Sequence, residues 1–213
     1  MLSTYEDYLE LIQTDAMRSG LSEFRLAREE FHNLTGKFED GESWFELRMT
    51  MFLDWYLLDR VGQDRLTPVE RFLATRGDEL DPKERQQLEY LTGTWRSTFQ
   101  IIEIKNDTVR LEDLAKGGHW LVTSMIPTLG FSQNDILGSR IVFFDGRPTI
   151  GRSTVLHPQD ANQTILAIVK RARAESLAPR KLVDHLDKMR LKLDRYSNVR
   201  IQHVYRYPGD AIF

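Results

Sequence analysis

The sequence predicts an α+β protein in which an N-terminal helical part is followed by a small antiparallel β-barrel or curled sheet and then by C-terminal helices. Three observations carry this. Apolar residues recur at helical spacing through residues 1–93, the period changes to two after Gly93, and helical spacing returns beyond Pro158. The expected parts are a helical domain over 1–93, a small β domain over 94–157, and helices over 158–213 that pack on the β domain. A last strand over 199–207 is a further expectation, because Val199, Ile201, His203 and Tyr205 alternate.

Five helices are expected in the first part. Tyr5, Tyr8, Leu9, Ile12 and Ala16 share one helical face, and Gly20 stands where a helix would end. Ser22 is the expected cap of a second helix carrying Phe24, Ala27, Phe31 and Leu34 and stopping before Gly36. The stretch from Trp44 to Leu58 is apolar around most of its circumference, which marks a central helix. Its polar stripe is Glu46, Thr50 and Asp54. Thr67-Pro68-Val69-Glu70 is a capping box with proline at the first helical position, and Asp81-Pro82 repeats the cap-then-proline pattern.

Five strands are expected next. Phe99 and Ile101, then Ile102 and Ile104, form one, and Asn106-Asp107 turns it back through Val109 and Leu111. Trp120-Leu121-Val122 forms another. Ile141–Phe144 and Arg147–Leu156 flank Asp145-Gly146, a pair suited to a tight hairpin turn. Pro127 and Gly130 break the segment from Met125 to Asp135 into a loop. Pro158 and Pro179 open the last helices.

Composition narrows the function classes. At 213 residues, 41% hydrophobic and 29% charged, the chain has the balance of a folded protein rather than a disordered one. The absence of cysteine excludes disulfides, thiolate metal sites and cysteine nucleophiles. No apolar run approaches the ~20 residues of a membrane span, and the first residues are acidic where an export signal would be basic. A cytoplasmic protein without membrane partners is therefore expected. Charge is partitioned along the chain. Residues 1–100 hold 12 Lys/Arg against 20 Asp/Glu, and residues 169–213 hold 11 against 5. The two ends either attract each other or meet charged partners.

No nucleotide-binding glycine motif is present, and the five histidines lack metal-ligand spacing, so no cofactor and no metal are expected. The acidic turn at Asp40–Glu46 lacks the alternating ligands of a calcium loop. Ser153 and Ser197 have no local histidine and carboxylate partners. Four residues remain as functional candidates. Asp54 is a carboxylate on an apolar helix and must be paired or hydrogen-bonded, either to fix packing or to act as a base or ligand anchor. Asp59 and Arg60 follow it at the helix end, and His157 precedes a helix on the loop side of the sheet. For each, packing is the preferred reading over chemistry. Lys188, Lys192 and Arg195 share one face of the last long helix and offer a basic binding surface. Asp184, Asp187 and Asp194 are expected to compensate it through surface pairs such as Asp184–Lys188.

The string Phe52 to Arg60, Thr67-Pro68, Leu111-Glu112-Asp113-Leu114 and Arg140-Ile141-Val142 together resemble a group of uncharacterised bacterial proteins with a helical front half and a small β-rich back half. Some proteins of that pattern carry a cysteine-rich metal motif of the SEC-C kind, which a chain without cysteine cannot form. The resemblance implies a bacterial source and a shared fold, and no activity. The leading expectation is a non-enzymatic interaction, regulatory or scaffold protein with a protein partner. The alternative is nucleic-acid binding through the basic C-terminal region, and the third is an enzyme with a non-local site around Asp54 and His157.

Overall fold

The computed structural model describes all residues except 1, 3, 107, 125–129, 197–198 and 211–213, and all but the side chains of residues 19 and 124. The chain divides into two compact units: residues 1–94 with 142–147, and residues 95–141 with 148–213.

The first unit holds α1 (Tyr5–Ser19), α2 (Leu21–Thr35), α3 (Phe45–Leu58), α4 (Pro68–Arg76) and α5 (Pro82–Thr92). The Thr67 capping box forms as expected, with Thr67 Oγ1 accepting from the Glu70 amide and Glu70 accepting from the Thr67 amide. Asp81 accepts from the amides of Lys83 and Glu84, each at 2.9 Å. Ser22 does not cap α2. That helix starts two residues earlier, with Gly20 at the N-cap and no side-chain hydrogen bond there. Leu9, Ile12, Phe52, Leu57, Phe72 and Leu88 fill the interior. The tip of a β-hairpin joins this core. Phe144 meets Tyr5 and Tyr8 edge-on, and the Gln87 side chain donates to the Phe143 carbonyl and accepts from the Asp145 amide. Phe143 and Phe144 thus belong to the helical unit rather than to a sheet interior.

The second unit is built on a sheet of β1 (Trp95–Lys105), β2 (Thr108–Asp113), β3 (His119–Ser124), β4 (Ile136–Phe144), β5 (Arg147–Ile150) and β6 (Val155–Leu156). Six strands are described where five were expected. They lie in the order β1-β2-β3-β5-β4-β6, and β1 pairs with β4 as well. β3 and β5 run parallel, so the sheet is mixed rather than wholly antiparallel. A bulge between Ile101 and Glu103 switches the phase of β1, which accounts for the apolar doublet Ile101-Ile102 in its sequence. Asp145 and Gly146 both take positive φ, 47° and 72°, as the hairpin turn between β4 and β5 requires. Asn106 also has positive φ (48°), while Asp107 and residues 125–129 of the expected loop lie outside the described residues.

Two apolar clusters form on the sheet. Phe99, Ile101, Val109, Leu111, Val122, Leu137, Ile141 and Ile150 pack together from the strands. Ile136 joins α6 (Asn162–Ala174), α7 (Pro179–Arg195) and α8 (Ile201–Val204) in the other, through Ile165, Leu182, Leu186, Val204 and Tyr205. The expected strand at 199–207 is thus replaced by the short helix α8. Ile201, Val204 and Tyr205, spaced three and four apart, turn toward one cluster, and this helical periodicity overrides the alternation of Val199, Ile201 and His203.

Asp113 explains one of the strings that sequence reading singled out. Its carboxylate accepts from Trp95 Nε1 at 2.7 Å, Ser97 Oγ at 2.8 Å and the amides of Ala115 and Lys116. One buried side chain thereby closes the turn after β2 and ties it to β1.

Candidate functional site

In the first unit, α2 carries Glu23 and Glu30, seven residues apart and therefore on one helical face. The chain leaving α3 brings Arg60 against both. Arg60 donates to the two Glu30 oxygens at 2.6 and 3.1 Å and to Glu23 Oε1 at 3.1 Å. These bonds hold the Glu30 carboxyl below its usual pKa and raise that of the Arg60 guanidinium. A second fork lies alongside, where Arg71 of α4 donates to both Asp64 oxygens at 2.6 and 2.9 Å. It lowers the Asp64 pKa to about 2. Gly62 sits between the forks. A Cβ there would stand 3.0 Å from Asp64 Oδ1 and 3.0 Å from Glu23 Oε1 and would strike the Arg71 guanidinium.

Glu23, Leu26, Arg60, Asp64 and Arg71 line a groove of about 550 Å³. Leu26, which lines it, is 51% exposed, and Leu21 and Val61, adjacent in sequence to lining residues, are 58% and 57% exposed. Three carboxylates meet two guanidiniums in this cluster, so both arginines are already engaged, and the charges that line the groove itself (Glu23, Asp64, Arg60, Arg71) balance. Arg60 was a sequence candidate. In the sequence, the only signal of these pairs is a seven-residue spacing, Glu23 to Glu30 for the partners of Arg60 and Asp64 to Arg71 for the second fork.

Asp54 is buried within α3, at 1% exposure, while Thr50 and Glu46 of the same expected stripe are progressively more open. Asp59 is the C-cap of α3, and its amide donates to the Trp55 carbonyl. Neither lines the groove. Arg48 of α3 was not singled out from sequence, yet it is 1% exposed. Its guanidinium bonds Thr35 Oγ1 at 2.7 Å and the Gly36 carbonyl at 2.8 Å, and it lies 5.1 Å from the ring centres of both Phe31 and Phe38.

His157 belongs to the second unit and is fully enclosed. Its Nδ1 shares a 2.9 Å hydrogen bond with the Tyr205 hydroxyl, and its Nε2 stands 3.9 Å from Asp187 Oδ1. Burial, with the Arg190 charge nearby, lowers its pKa to about 3, so the ring is neutral. His157 is 1% exposed, and its Nε2 has no hydrogen-bond partner among the described residues.

On α7 the carboxylates do not go where the sequence suggested. Asp184 and Asp187 both accept from Arg96 of β1, Asp187 at 3.0 Å. Asp194 takes the i,i+4 bond from Arg190, whose Nε also donates to the Leu156 carbonyl. The expected Asp184–Lys188 pair is absent because Asp184 is drawn to Arg96. Lys188, Lys192 and Arg195 are exposed. No group of three or more histidine or carboxylate side chains among the described residues is placed to hold a metal, and no described helix is long and apolar enough to cross a membrane.

The chain belongs to a family of unknown function, DUF7986, whose match spans residues 23–197. Neither a curated protein nor a solved structure matches it.

Proposed function

We propose that the protein is a non-enzymatic interaction protein of the bacterial cytoplasm whose partner docks in the groove between α2, the end of α3 and α4. The observation that carries this is a groove in which an exposed apolar side chain, Leu26, stands beside two arginine–carboxylate forks. Interfaces combine desolvated apolar anchors with charged groups that select the partner. The residues around the groove belong to the acidic first hundred, so the occupant is a basic, apolar-faced segment of another protein. Both arginines being held by carboxylates argues against a small anionic substrate.

The sheet supports a second, weaker reading. A circuit of five strands that returns to its first strand is the arrangement of a small barrel, a size class that includes oligonucleotide binders. Its strands, however, expose Leu121 rather than aromatic rings on which bases could stack.

The test is affinity capture from a lysate of the source organism with wild type, Leu26→Asp and Leu21→Asp. Recovery of one protein by wild type and its loss in both variants, each folded by circular dichroism, supports the reading. Equal recovery by all three overturns it.

A further inference from the structure

We propose that the solvent face of α7 binds the phosphate backbone of a nucleic acid strand, a surface separate from the groove. Lys181, Lys188, Lys192 and Arg195 are all exposed, and their intervals of seven, four and three place them on one stripe of the helix. The opposite face, Leu182, Val183, Leu186 and Met189, is buried. What makes the stripe cationic is the direction of its acids. Asp184 and Asp187 turn to Arg96 on the sheet side, and Asp194 is bonded to Arg190. Among the described residues no carboxylate pairs with Lys181, Lys188 or Lys192. His185, between them, is held toward neutrality by burial, and its Nε2 lies 2.6 Å from the Arg206 carbonyl oxygen.

Charge and shape select the occupant. A protein partner would need apolar anchors amid the charges, and between Lys181 and Arg195 the helix exposes no large apolar side chain. An inserting membrane helix would need its apolar face free, and that face is spent on the core. A phosphate backbone needs cations alone, and the gain comes from counterion release. Lys188 and Lys192 stand about 6 Å apart along the axis. That is within two steps of a nucleic acid strand, whose charges repeat about every 3.4 Å. Tyr196, 56% exposed directly after the helix, offers a ring beside the stripe for an unpaired base.

The test titrates fluorescently labelled single-stranded RNA and duplex DNA with the full chain from ~50 mM salt upward. Binding is expected at the low end, with log affinity for duplex DNA falling against log salt at a slope of about −2 to −3, as two or three phosphate contacts demand. Lys181→Gln, Lys188→Gln and Lys192→Gln combined should flatten that slope at unchanged thermal stability, because none of the three is buried. Leu26→Asp in the groove should leave it unchanged, which separates this surface from the proposed protein-docking site. No binding at ~50 mM salt, or an equal slope in the triple variant, overturns the proposal. Lysine-dependent binding to anionic vesicles, to an acidic peptide or to a second copy of the chain, without nucleic acid binding, overturns it as well.

Discussion

Gly138 of β4 lies against the Asp187 carboxylate of α7 with no room for a side chain between them. A Cβ on Gly138 would strike Asp187 and come within 2.9 Å of Val183 Cγ2. The glycine is there to let the helix sit directly on the strand, next to Thr98, its cross-strand neighbour on β1.

Gly138→Ala is therefore expected to lower unfolding stability by about 1–3 kcal/mol, the range for overpacking in a closed core. Chemical denaturation measures it. A loss under ~0.5 kcal/mol would mean that α7 shifts without cost.

Arg96→Ala tests the charge partition. It removes the shared partner of Asp184 and the buried Asp187, and stranding a buried carboxylate costs about 3–5 kcal/mol. Lys188→Ala, at an exposed position, should change stability by no more than about 0.5 kcal/mol. Equal effects of the two would contradict the inward orientation of the aspartates.

His157 sets a pH dependence. Its folded pKa is lowered to about 3 against 6.5 unfolded, so between those values the unfolded chain binds a proton that the folded chain does not. Stability from this group is complete above pH 6.5 and falls as pH drops, by up to about 1.4 kcal/mol per unit, until about pH 3. Asp187 does not reverse the sign, because its charge is engaged by Arg96. His32 and His185, also lowered mainly by burial, act in the same direction. Urea midpoints from pH 7 to 4 should fall more steeply for wild type than for His157→Phe. Parallel curves would place the protonation elsewhere.

Asp54→Ala is expected to destabilise by about 1–3 kcal/mol, since a buried carboxylate on an apolar helix is kept by the donors it satisfies. Thermal melts compare the two chains. An unchanged midpoint would show that no buried donor depends on Asp54.

Local rules made much of this fold legible. Thr67-Pro68 and Asp81-Pro82 start helices because cap and proline act within one turn, and Asp145-Gly146 turns a hairpin because only two residues need positive φ. The burial of Asp54 followed from its apolar neighbours on α3. Where two local patterns competed, sequence reading failed. Ile201, Val204 and Tyr205 fit a helical turn, Val199, Ile201 and His203 a strand, and contact with α6 and α7 settled the choice.

By itself, then, the sequence determined the helical caps, the change of period after Gly93, the α+β class and the excess of base near the C-terminus, all consequences of residues close together in the chain. Tertiary structure alone decided the rest. The return of β1 to β4, the parallel β3–β5 pair and the gathering of Glu23, Arg60, Asp64 and Arg71 depend on segments far apart in sequence. So does the fate of the α7 aspartates. Sequence spacing offers Asp184 a lysine four residues away, a contact worth about 0.2–0.5 kcal/mol on an exposed helix. The fold offers it Arg96, 9% exposed and shared with Asp187, where partial burial strengthens the attraction between opposite charges. The second attraction wins, and it leaves Lys188 facing water.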